Sequence, residues 1–306
     1  MNKMAIFGLP EEEYFTVGHR ACAGCGEAIA VRLLTKAAGK NTILVESTGC
    51  MEVVSTPYPE TSWKLPWIHG AFENNSSIGS GVSAALKSLG KEEVKVVVFG
   101  GDGATYDIGM GCISGAFERG DNITYVCTDN EAYMNTGIQR SGATPLGAST
   151  TTSPEGSKSI GKSQWKKDMM HILAAHGSPY LAQASIAYIP DAFQKLKKAM
   201  ETKGPTFVNL VCTCVPGWRT DPAQTITVAK LGVETGATPI YEIIKGKHKV
   251  TRPRDLEKLK PIEEYLKLQG RFKHLLKPES KPKLELIQKQ VKENLALLLD
   301  YESKGL

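Results

Sequence analysis

The regular alternation of short apolar runs with amphipathic stretches is the feature that most constrains the fold of this chain. The runs rich in Val, Ile and Leu, which have the length of buried strands, are Thr42–Glu46, Val94–Phe99, Ile123–Thr128, Leu181–Ala187 and Phe207–Cys212. The stretches with helical periodicity are Glu27–Ala38, Ser76–Leu89, Gly109–Glu118, Trp165–His176, Asp191–Lys203 and Pro222–Thr235. Strands that alternate with helices form βαβ units, and continuously apolar strands are typical of a sheet covered on both faces. The sequence therefore predicts an α/β fold with a doubly wound, mostly parallel sheet.

The pattern changes after residue 240. Prolines separate short basic stretches there, and Leu284–Leu299 has the periodicity of a final amphipathic helix. Residues 241–306 carry 16 Lys and Arg against 10 Asp and Glu, in a chain whose net charge is +5. The acidic residues are interleaved and no aromatic platform accompanies the lysines, which favours a solvated or protein-docking surface over nucleic-acid binding. We predict a main domain over residues 1–240 and a basic, mostly helical extension for subunit contacts over residues 241–306.

Two long stretches lack a regular period. Thr48–Asn75 is rich in Pro, Trp and Gly, and Gly137–Gly161 is rich in Ser, Thr and Gly. Irregular segments of this length inside a compact domain are usually functional. Both are therefore expected to contribute to a binding site.

The location of the chain is constrained by what its sequence lacks. No apolar run approaches the ~20 residues that span a bilayer, and Met1–Pro10 does not have the form of a secretory signal. The seven cysteines are an odd number, which argues against a disulfide framework. We therefore expect a cytoplasmic protein with no membrane partner.

Polar residues follow two of the predicted strands. Gly101-Asp102-Gly103 comes after Val94–Phe99, and Asn130 comes after Ile123–Thr128. Because ligands of a doubly wound sheet bind beyond the carboxyl ends of its strands, Asp102 and Asn130 are expected at one edge. A carboxylate and an amide oxygen suit Mg²⁺, and the glycines allow backbone N–H groups to approach an anion. Gly-Asp-Gly alone also describes a tight turn, but with Asp129–Gly137 it resembles the diphosphate motif of thiamine diphosphate enzymes.

The cysteines are candidates for a second site. Cys22 and Cys25 precede a helix, Cys50 follows the first strand, and Cys212 and Cys214 close the last strand. Four thiolates from separate segments fit a 4Fe-4S cluster, and their spacing leaves structural zinc open as an alternative. A thioredoxin-like redox pair would leave Cys50 and Cys214 without a role.

Six motifs occur in the order typical of one family. They are Cys22–Glu27, Thr48–Cys50, Pro66–Gly70, Gly101–Gly103, Asn130–Gly137 and Cys214–Trp218. Together they resemble the beta subunits of the 2-oxoacid:ferredoxin oxidoreductase family, and the pyruvate enzymes in particular. The likeness covers roughly residues 14 to 240, and the C-terminal tail is compatible with it. The resemblance makes the main domain the one that binds thiamine diphosphate through its diphosphate half.

The resemblance also implies a role for each site residue. It implies that one 4Fe-4S cluster is bound by Cys22, Cys25, Cys50 and Cys214, the last chosen over Cys212 by its spacing from Trp218. It implies that Mg²⁺ is bound by the side chains of Asp102 and Asn130 and by the backbone carbonyl of Ala132. The cofactor-binding residues that it implies are Glu27, Cys50, Gly101, Asp102, Gly103, Ala104, Asn130, Glu131, Ala132, Tyr133, Met134 and Asn135. Of these, Cys50 and Asn135 are expected at the reacting centre.

The expected activity follows from the same resemblance. It is the reversible conversion of pyruvate, coenzyme A and oxidised ferredoxin to acetyl-CoA, CO₂ and reduced ferredoxin. The enzyme would be active only with its partners: an alpha subunit carrying the pyrimidine half of the site, and gamma and delta subunits or fused equivalents, the delta subunit carrying further 4Fe-4S clusters.

Three alternatives stay open at this stage. The first is another 2-oxoacid, such as oxalate without coenzyme A, or 2-oxoisovalerate. Close to the expected active site, Val215 stands where family members often have Pro, and Leu146 stands where many pyruvate enzymes have an aromatic residue. The second is a non-redox thiamine diphosphate decarboxylase or synthase subunit, and the third is a scaffold subunit that binds no thiamine.

Overall fold

The structure of the chain is a computed structural model that describes residues 6–306. Its strands are β1 (Thr42–Ser47), β2 (Trp67–Gly70), β3 (Lys95–Gly101), β4 (Thr124–Asp129), β5 (Glu155–Gly156), β6 (Ser159–Ile160), β7 (Tyr180–Ser185), β8 (Thr206–Val211), β9 (Ile240–Ile244) and β10 (Lys247–Arg252). Its α-helices are α1 (Gly26–Ala38), α2 (Cys50–Ser55), α3 (Asn75–Ser88), α4 (Met110–Glu118), α5 (Met169–Ala174), α6 (Ile189–Glu201), α7 (Val215–Trp218), α8 (Thr225–Glu234), α9 (Ile262–Leu266) and α10 (Lys281–Lys304). A π-helical turn at Gly103–Ile108 separates β3 from α4.

Eight of the strands form one sheet, in the order β10-β9-β7-β8-β4-β3-β1-β2. The six strands from β7 to β2 in this order run parallel, whereas β9 is antiparallel to both β7 and β10. Helices cover both faces, and the chain ends in the long helix α10. The predicted α/β class with a mostly parallel, doubly wound sheet and a helical C-terminal extension is confirmed. None of the helices between residues 6 and 306 has both the length and the apolar character that a membrane crossing requires.

Successive strand residues pack on opposite faces of the sheet. In β3, Val97 belongs to the core beneath α1 and α6, while Val96 and Val98 belong to the core on the other face. All of these side chains are buried, as expected for a parallel sheet between two helical layers. The two hydrophobic cores hold the strand ends in place, and those ends carry the polar residues discussed below.

The structure differs from the sequence pattern in two places outside the core strands. The pattern predicts a helix over Trp165–His176, whereas helix α5 spans only Met169–Ala174. The helix begins after Asp168 because the Asp168 carboxylate caps it, accepting a hydrogen bond from the backbone N–H of His171 at 3.1 Å. The residues just before it are not helical, and Lys166 among them forms an ion pair with Asp129 at the end of β4. The pattern also does not predict β2, inside the irregular stretch Thr48–Asn75.

The third difference lies in the C-terminal region. The hairpin β9–β10 extends the main sheet, although residues after 240 are predicted as a mostly helical extension. Leu295 and Leu298 of α10 are buried in the same core as Tyr241 and Val250 of this hairpin. The extension is therefore packed on the main sheet. The division into domains at residue 240 stays a prediction.

Candidate cofactor and metal site

Asp102 and Asn130 lie side by side at the carboxyl edge of the sheet. They directly follow β3 and β4, whose register pairs Gly101 with Thr128. Asp102 is fully buried and Asn130 is nearly so. One Asp102 oxygen, Oδ2, accepts a hydrogen bond from Ser141 Oγ. The other Asp102 oxygen and the Asn130 amide oxygen are buried and have no hydrogen-bond partner among the described residues.

These two oxygens are suitable ligands for a hard cation. Buried polar atoms are almost always hydrogen-bonded, so two unpartnered oxygens on adjacent strands need a common explanation. Burial, together with the negative charge of Asp129, raises the pKa of the Asp102 carboxyl well above its usual value. A divalent cation would satisfy both oxygens and stabilise the ionised carboxylate. The predicted Mg²⁺ ligands Asp102 and Asn130 are thus brought together in a chemically suitable form.

Glu27 fixes the orientation of the Asn130 amide. It lies in the first turn of α1, and its carboxylate accepts hydrogen bonds from Thr128 Oγ1 at 2.8 Å and from Asn130 Nδ2 at 3.0 Å. The Asn130 nitrogen is thereby committed to Glu27, which leaves its oxygen free for another partner. Burial raises the pKa of Glu27. The Cys50 side chain lies close enough to Glu27 to lower this pKa slightly. One buried carboxyl thus connects the residues proposed for the two metal sites.

The segment from Glu131 to Asn135 forms an irregular turn after Asn130. Glu131 has a left-handed backbone (φ 69°), and its carbonyl accepts a hydrogen bond from Thr144 Oγ1 at 2.6 Å. Ala132 is buried, Tyr133 and Met134 are half-buried, and Asn135 is exposed. The segment is therefore anchored at its start, while its tip at Asn135 is open to a substrate or a partner chain.

The glycine-rich segment packs closely against this turn. Gly101 and Gly103 flank Asp102, and Ala104 follows, fully buried, in the π-helical turn. A Cβ atom at Gly103 would lie 2.5 Å from the Tyr133 ring, whereas one at Gly101 would meet nothing within 4 Å. The Tyr133 hydroxyl donates to Asp107 Oδ2 at 3.2 Å. Gly103 is therefore required for this close approach, and Gly101 leaves open space beside Asp102.

The predicted cluster ligands come from three loops around the start of α1. Cys25 directly precedes α1, Cys50 begins α2 and Cys214 precedes α7. The Gly26 N–H donates to the Thr213 carbonyl at 3.1 Å, and a Cβ atom at Gly26 would lie 2.6 Å from that backbone. The missing side chain at Gly26 thus lets the Cys25 and Cys214 segments meet.

The thiols are neighbours that do not converge on one point. Within residues 6–306, no three His, Cys, Asp or Glu side chains are placed to share a single metal ion. Burial raises the pKa of Cys25 to about 11 and of Cys214 to about 12. Burial, the Glu27 charge and the nearby thiols of Cys214 and Cys25 also raise the pKa of Cys50. Cys22 is exposed. Each thiolate of a 4Fe-4S cluster binds a different iron, so its sulfurs lie further apart than those around one zinc ion.

Cys212 differs from Cys214 in its surroundings. Strand β8 ends at Val211, so both cysteines lie beyond it. Cys212 is fully buried in the core, and its N–H donates to the Asp129 carbonyl at 2.9 Å. Cys214 is half-buried and its sulfur accepts a hydrogen bond from the Gly217 N–H. The choice of Cys214 as a ligand stays a prediction, and the environment of Cys212 is that of a core residue.

Several residues near this site are not predicted from the sequence. Ser141 bonds Asp102 from the irregular stretch Gly137–Gly161, whose length is the signal that marks it. Lys166 forms an ion pair with Asp129 at 2.5 Å, and Arg271 forms one with Glu131 at 2.5 Å. Glu46, at the end of β1, is buried and accepts a hydrogen bond from Trp67 Nε1 at 2.8 Å. No motif in the sequence marks Lys166, Arg271 or Glu46.

Comparison with known proteins identifies the family. Residues 47–210 match the family described as thiamine pyrophosphate enzyme, C-terminal TPP binding domain. The chain is 56% identical over 267 residues to pyruvate synthase subunit PorB of Methanothermobacter thermautotrophicus, which covers 87% of this chain and 92% of that protein. It is 44% identical over 290 residues to ketoisovalerate oxidoreductase subunit VorB of Pyrococcus abyssi, covering 93% and 92%.

A solved structure shows the same fold. It is the 2-oxoglutarate:ferredoxin oxidoreductase from Magnetococcus marinus, with 2-oxoglutarate, coenzyme A and succinyl-CoA bound. The TM-score is 0.58 and the identity is 22%, over 74% of this chain and 82% of that one. On the strength of the family match and the identities to PorB and VorB, this chain belongs to the beta subunits of the 2-oxoacid:ferredoxin oxidoreductases and has their thiamine diphosphate-binding domain.

Proposed function

We propose that this subunit holds Mg²⁺-thiamine diphosphate by its diphosphate half, together with the 4Fe-4S cluster nearest to it, in a pyruvate:ferredoxin oxidoreductase. The observation that carries the proposal is the pair of buried, unpartnered oxygens on Asp102 and Asn130. The same Glu27 carboxyl that orients Asn130 also lies beside the Cys50 side chain. The proposed cation site and the proposed thiol site are thus neighbours on either side of one buried carboxyl.

The roles of the residues follow from their contacts. Asp102 and Asn130 would bind Mg²⁺ by their free oxygens, with the Ala132 carbonyl as a third ligand. Ser141 holds the other Asp102 oxygen in place. Gly101 to Ala104 would accommodate the diphosphate, because this backbone lies beside Asp102 with open space at Gly101. When bound, thiamine diphosphate supplies the carbon nucleophile and electron sink for decarboxylation of a 2-oxoacid.

The cysteine side would take the electrons. Cys22, Cys25, Cys50 and Cys214 would bind one cluster as thiolates, so cluster binding must overcome the burial that raises the pKa of three of these thiols. A 4Fe-4S cluster accepts single electrons, which suits transfer to ferredoxin. Cys22 is exposed, so this proposed ligand would lie at the surface. Further clusters, on a delta subunit or its fused equivalent, would carry electrons onward.

The other half of the active site is expected on a partner. Both Glu27 oxygens are engaged, one by Thr128 and the other by Asn130, so Glu27 is not free to act on a second part of the cofactor. An alpha subunit would supply the pyrimidine half and would contact the exposed tip of the turn at Asn135. Coenzyme A and ferredoxin would complete the reaction, with gamma and delta subunits or their equivalents in the assembly.

Pyruvate is the favoured substrate, and 2-oxoisovalerate is the second candidate. The chain is 56% identical to a pyruvate synthase subunit and 44% identical to a ketoisovalerate oxidoreductase subunit. This difference favours pyruvate. The high similarity to both makes the branched substrate the comparison that matters most.

The experiment is anaerobic purification of the chain with its partner subunits, followed by iron, sulfide and thiamine analysis. We expect one more 4Fe-4S cluster than the partners hold by themselves, and ferredoxin reduction that requires both pyruvate and coenzyme A. Parallel assays use 2-oxoisovalerate, 2-oxoglutarate and oxalate. Faster turnover of any of these would replace pyruvate as the substrate. A thiamine-dependent decarboxylation by a colourless, iron-free complex would instead establish the non-redox alternative.

A further inference from the structure

The turn that follows Asn130 is held from behind by a residue of the C-terminal region. Arg271 lies in the 3₁₀ segment Gly270–Leu276, after the hairpin β9–β10, and only 2% of it is exposed. Its Nη2 donates to Glu131 Oε2 at 2.5 Å. Glu131 is itself buried and directly follows Asn130. A buried, charge-assisted hydrogen bond of this kind is among the strongest contacts that a side chain makes.

Arg271 has a second route to the same turn. Its guanidinium lies 4.0 Å from the centroid of the Trp218 ring, a cation–π distance. Trp218 Nε1 in turn donates to the Asn130 carbonyl at 2.8 Å. Arg271 therefore fixes the side chain of Glu131 directly and the backbone of Asn130 through Trp218.

Further contacts hold the Arg271 guanidinium and the Glu131 carboxylate in place. Gln269 Oε1 accepts from Arg271 Nη2 at 2.7 Å and from Nε at 3.0 Å, which fixes the plane of the guanidinium. Lys166 Nζ lies 3.3 Å from Glu131 Oε1 and 2.5 Å from Asp129 Oδ2. The Glu131 carboxylate thus lies between two cationic side chains, Lys166 and Arg271. Asp129 and Glu131, on either side of Asn130, are thus held by the half-buried Lys166 and the buried Arg271.

We propose that Arg271 is a positioning residue for Mg²⁺. By clamping Glu131 and Trp218, it holds the side-chain amide oxygen of Asn130 and the backbone carbonyl of Ala132 in the arrangement that binds the metal of the cofactor. This rests on the proposed function. It gives the C-terminal region a role in cofactor affinity beyond subunit contacts. Residues that orient metal ligands typically change metal affinity by about 10–100-fold when they are removed.

The test is a Mg²⁺ titration of thiamine diphosphate binding by the complete complex. We expect Arg271→Met to raise the half-saturating Mg²⁺ concentration about tenfold or more, with the iron content unchanged. Arg271→Lys keeps the charge and loses the planar fork and its stacking, so a smaller shift is expected. Arg254→Met is the matched control, because it removes an exposed ion pair with Glu302 from the same C-terminal region. It should leave the titration unchanged.

A double-variant cycle separates positioning from general stability. If Arg271 acts through Glu131, then Arg271→Met combined with Glu131→Gln should be no weaker than the poorer single variant. Should Arg271→Met fail to assemble, Arg271→Lys and Glu131→Gln carry the test. Half-saturation within about twofold of wild type in both, whatever their melting temperatures, would overturn the clamp. Absence of Mg²⁺-dependent cofactor binding in the wild-type complex would overturn the proposed function, and the clamp with it.

Discussion

The two proposed metal sites beside Glu27 differ in how completely the folded chain forms them. We call the one at Asp102 and Asn130 the cation side, and the one at the cysteines the thiol side. On one side, Asp102 and Asn130 are buried, oriented by hydrogen bonds and backed by ion pairs. On the other side, the cysteines come from three loops and do not converge on one point. The fold itself therefore pre-organises the proposed cation site, while the proposed thiol site would need its metal, and the deprotonation that accompanies metal binding, to be completed.

This contrast has a physical origin. The proposed cation ligands, Asp102 and Asn130, follow adjacent strands of a parallel sheet, whose hydrogen bonds and two hydrophobic cores fix their separation. The cysteines stand at the beginnings of helices and in loops, where fewer contacts define the backbone. A substitution on the thiol side should therefore either remove the whole cluster or leave it intact. Substitutions on the cation side should instead produce graded losses of cofactor affinity.

The largest expected effect is on the thiol side. Cys50→Ser should remove the cluster of this subunit and abolish ferredoxin reduction, because serine is a poor substitute for a thiolate ligand. Iron and sulfide analysis of the anaerobic complex measures the loss. Cys214→Ala should behave in the same way. Cys212→Ala is the matched control, since Cys212 is a core residue, and it should keep the cluster. Full iron content with unchanged ferredoxin reduction in Cys50→Ser would remove Cys50 from the site.

The next effect is on the cation side. Asp102→Ala removes a charged ligand, and loss of such a contact costs about 2–3 kcal/mol, an order of magnitude or more in affinity. Calorimetry with thiamine diphosphate and Mg²⁺ on the complete complex should show this weakening, with the iron content unchanged. Asp121→Ala, which breaks an exposed ion pair with Arg119, is the control. An unchanged affinity would show that Asp102 is not a metal ligand.

A smaller effect is expected where the glycine segment meets the turn. In Gly103→Ala the new methyl group would lie 2.5 Å from the Tyr133 ring, so the ring must move and the cofactor affinity should fall several-fold. Gly111→Ala has open space around it in helix α4 and should be neutral or slightly stabilising. The pair is compared by cofactor titration and thermal unfolding of the complex. Equal behaviour of the two variants would contradict the close packing at Gly103.

The sequence predicts the proposed cation ligands better than the residues that hold them in place. Asp102 and Asn130 can be placed because each follows an apolar run, and parallel strands end at one edge. Arg271 lies 140 residues from Glu131, and no local pattern links the two. Their contact depends on how the C-terminal region packs on the sheet, which short-range periodicity does not encode.

The missed elements have similar causes. Strand β2 has only four residues, Trp67–Gly70, in a stretch punctuated by prolines. Strand β10, Lys247–Arg252, is an edge strand whose lysines hide its alternation and also discourage pairing with other chains. Helix α5 is shorter than its periodicity indicates because Asp168 caps it. Short length, an edge position and a helix cap thus account for the three differences, and none of them is visible in the hydrophobic period.

The smallest expected effect concerns pH and the loop that supports Asp102. Lys162 is buried, and its Nζ donates to the carbonyl oxygens of Gly142 at 3.1 Å and Thr144 at 2.5 Å. Burial, with the nearby charge of Arg140, lowers the pKa of Lys162 to about 8. In the unfolded chain this pKa is about 10.4, so between about pH 8 and pH 10 the unfolded state binds more protons and stability from this group rises with pH.

Lys162→Met removes this titration. The melting temperature of the wild-type complex, relative to the variant, should therefore increase as the pH is raised from about 8 to about 10, because the cost of burying a charged lysine is relieved only in the wild type. Lys230→Met, at an exposed ion pair with Glu234, is the control and should show no such trend. A difference that stays constant or shrinks over this range would mean that Lys162 remains charged in the folded protein. The carbonyls of Gly142 and Thr144 would then stabilise the charge of Lys162 and, through it, the loop whose Ser141 bonds Asp102. The cation side would in that case be held by one more buried charge, and its difference in rigidity from the thiol side would be larger.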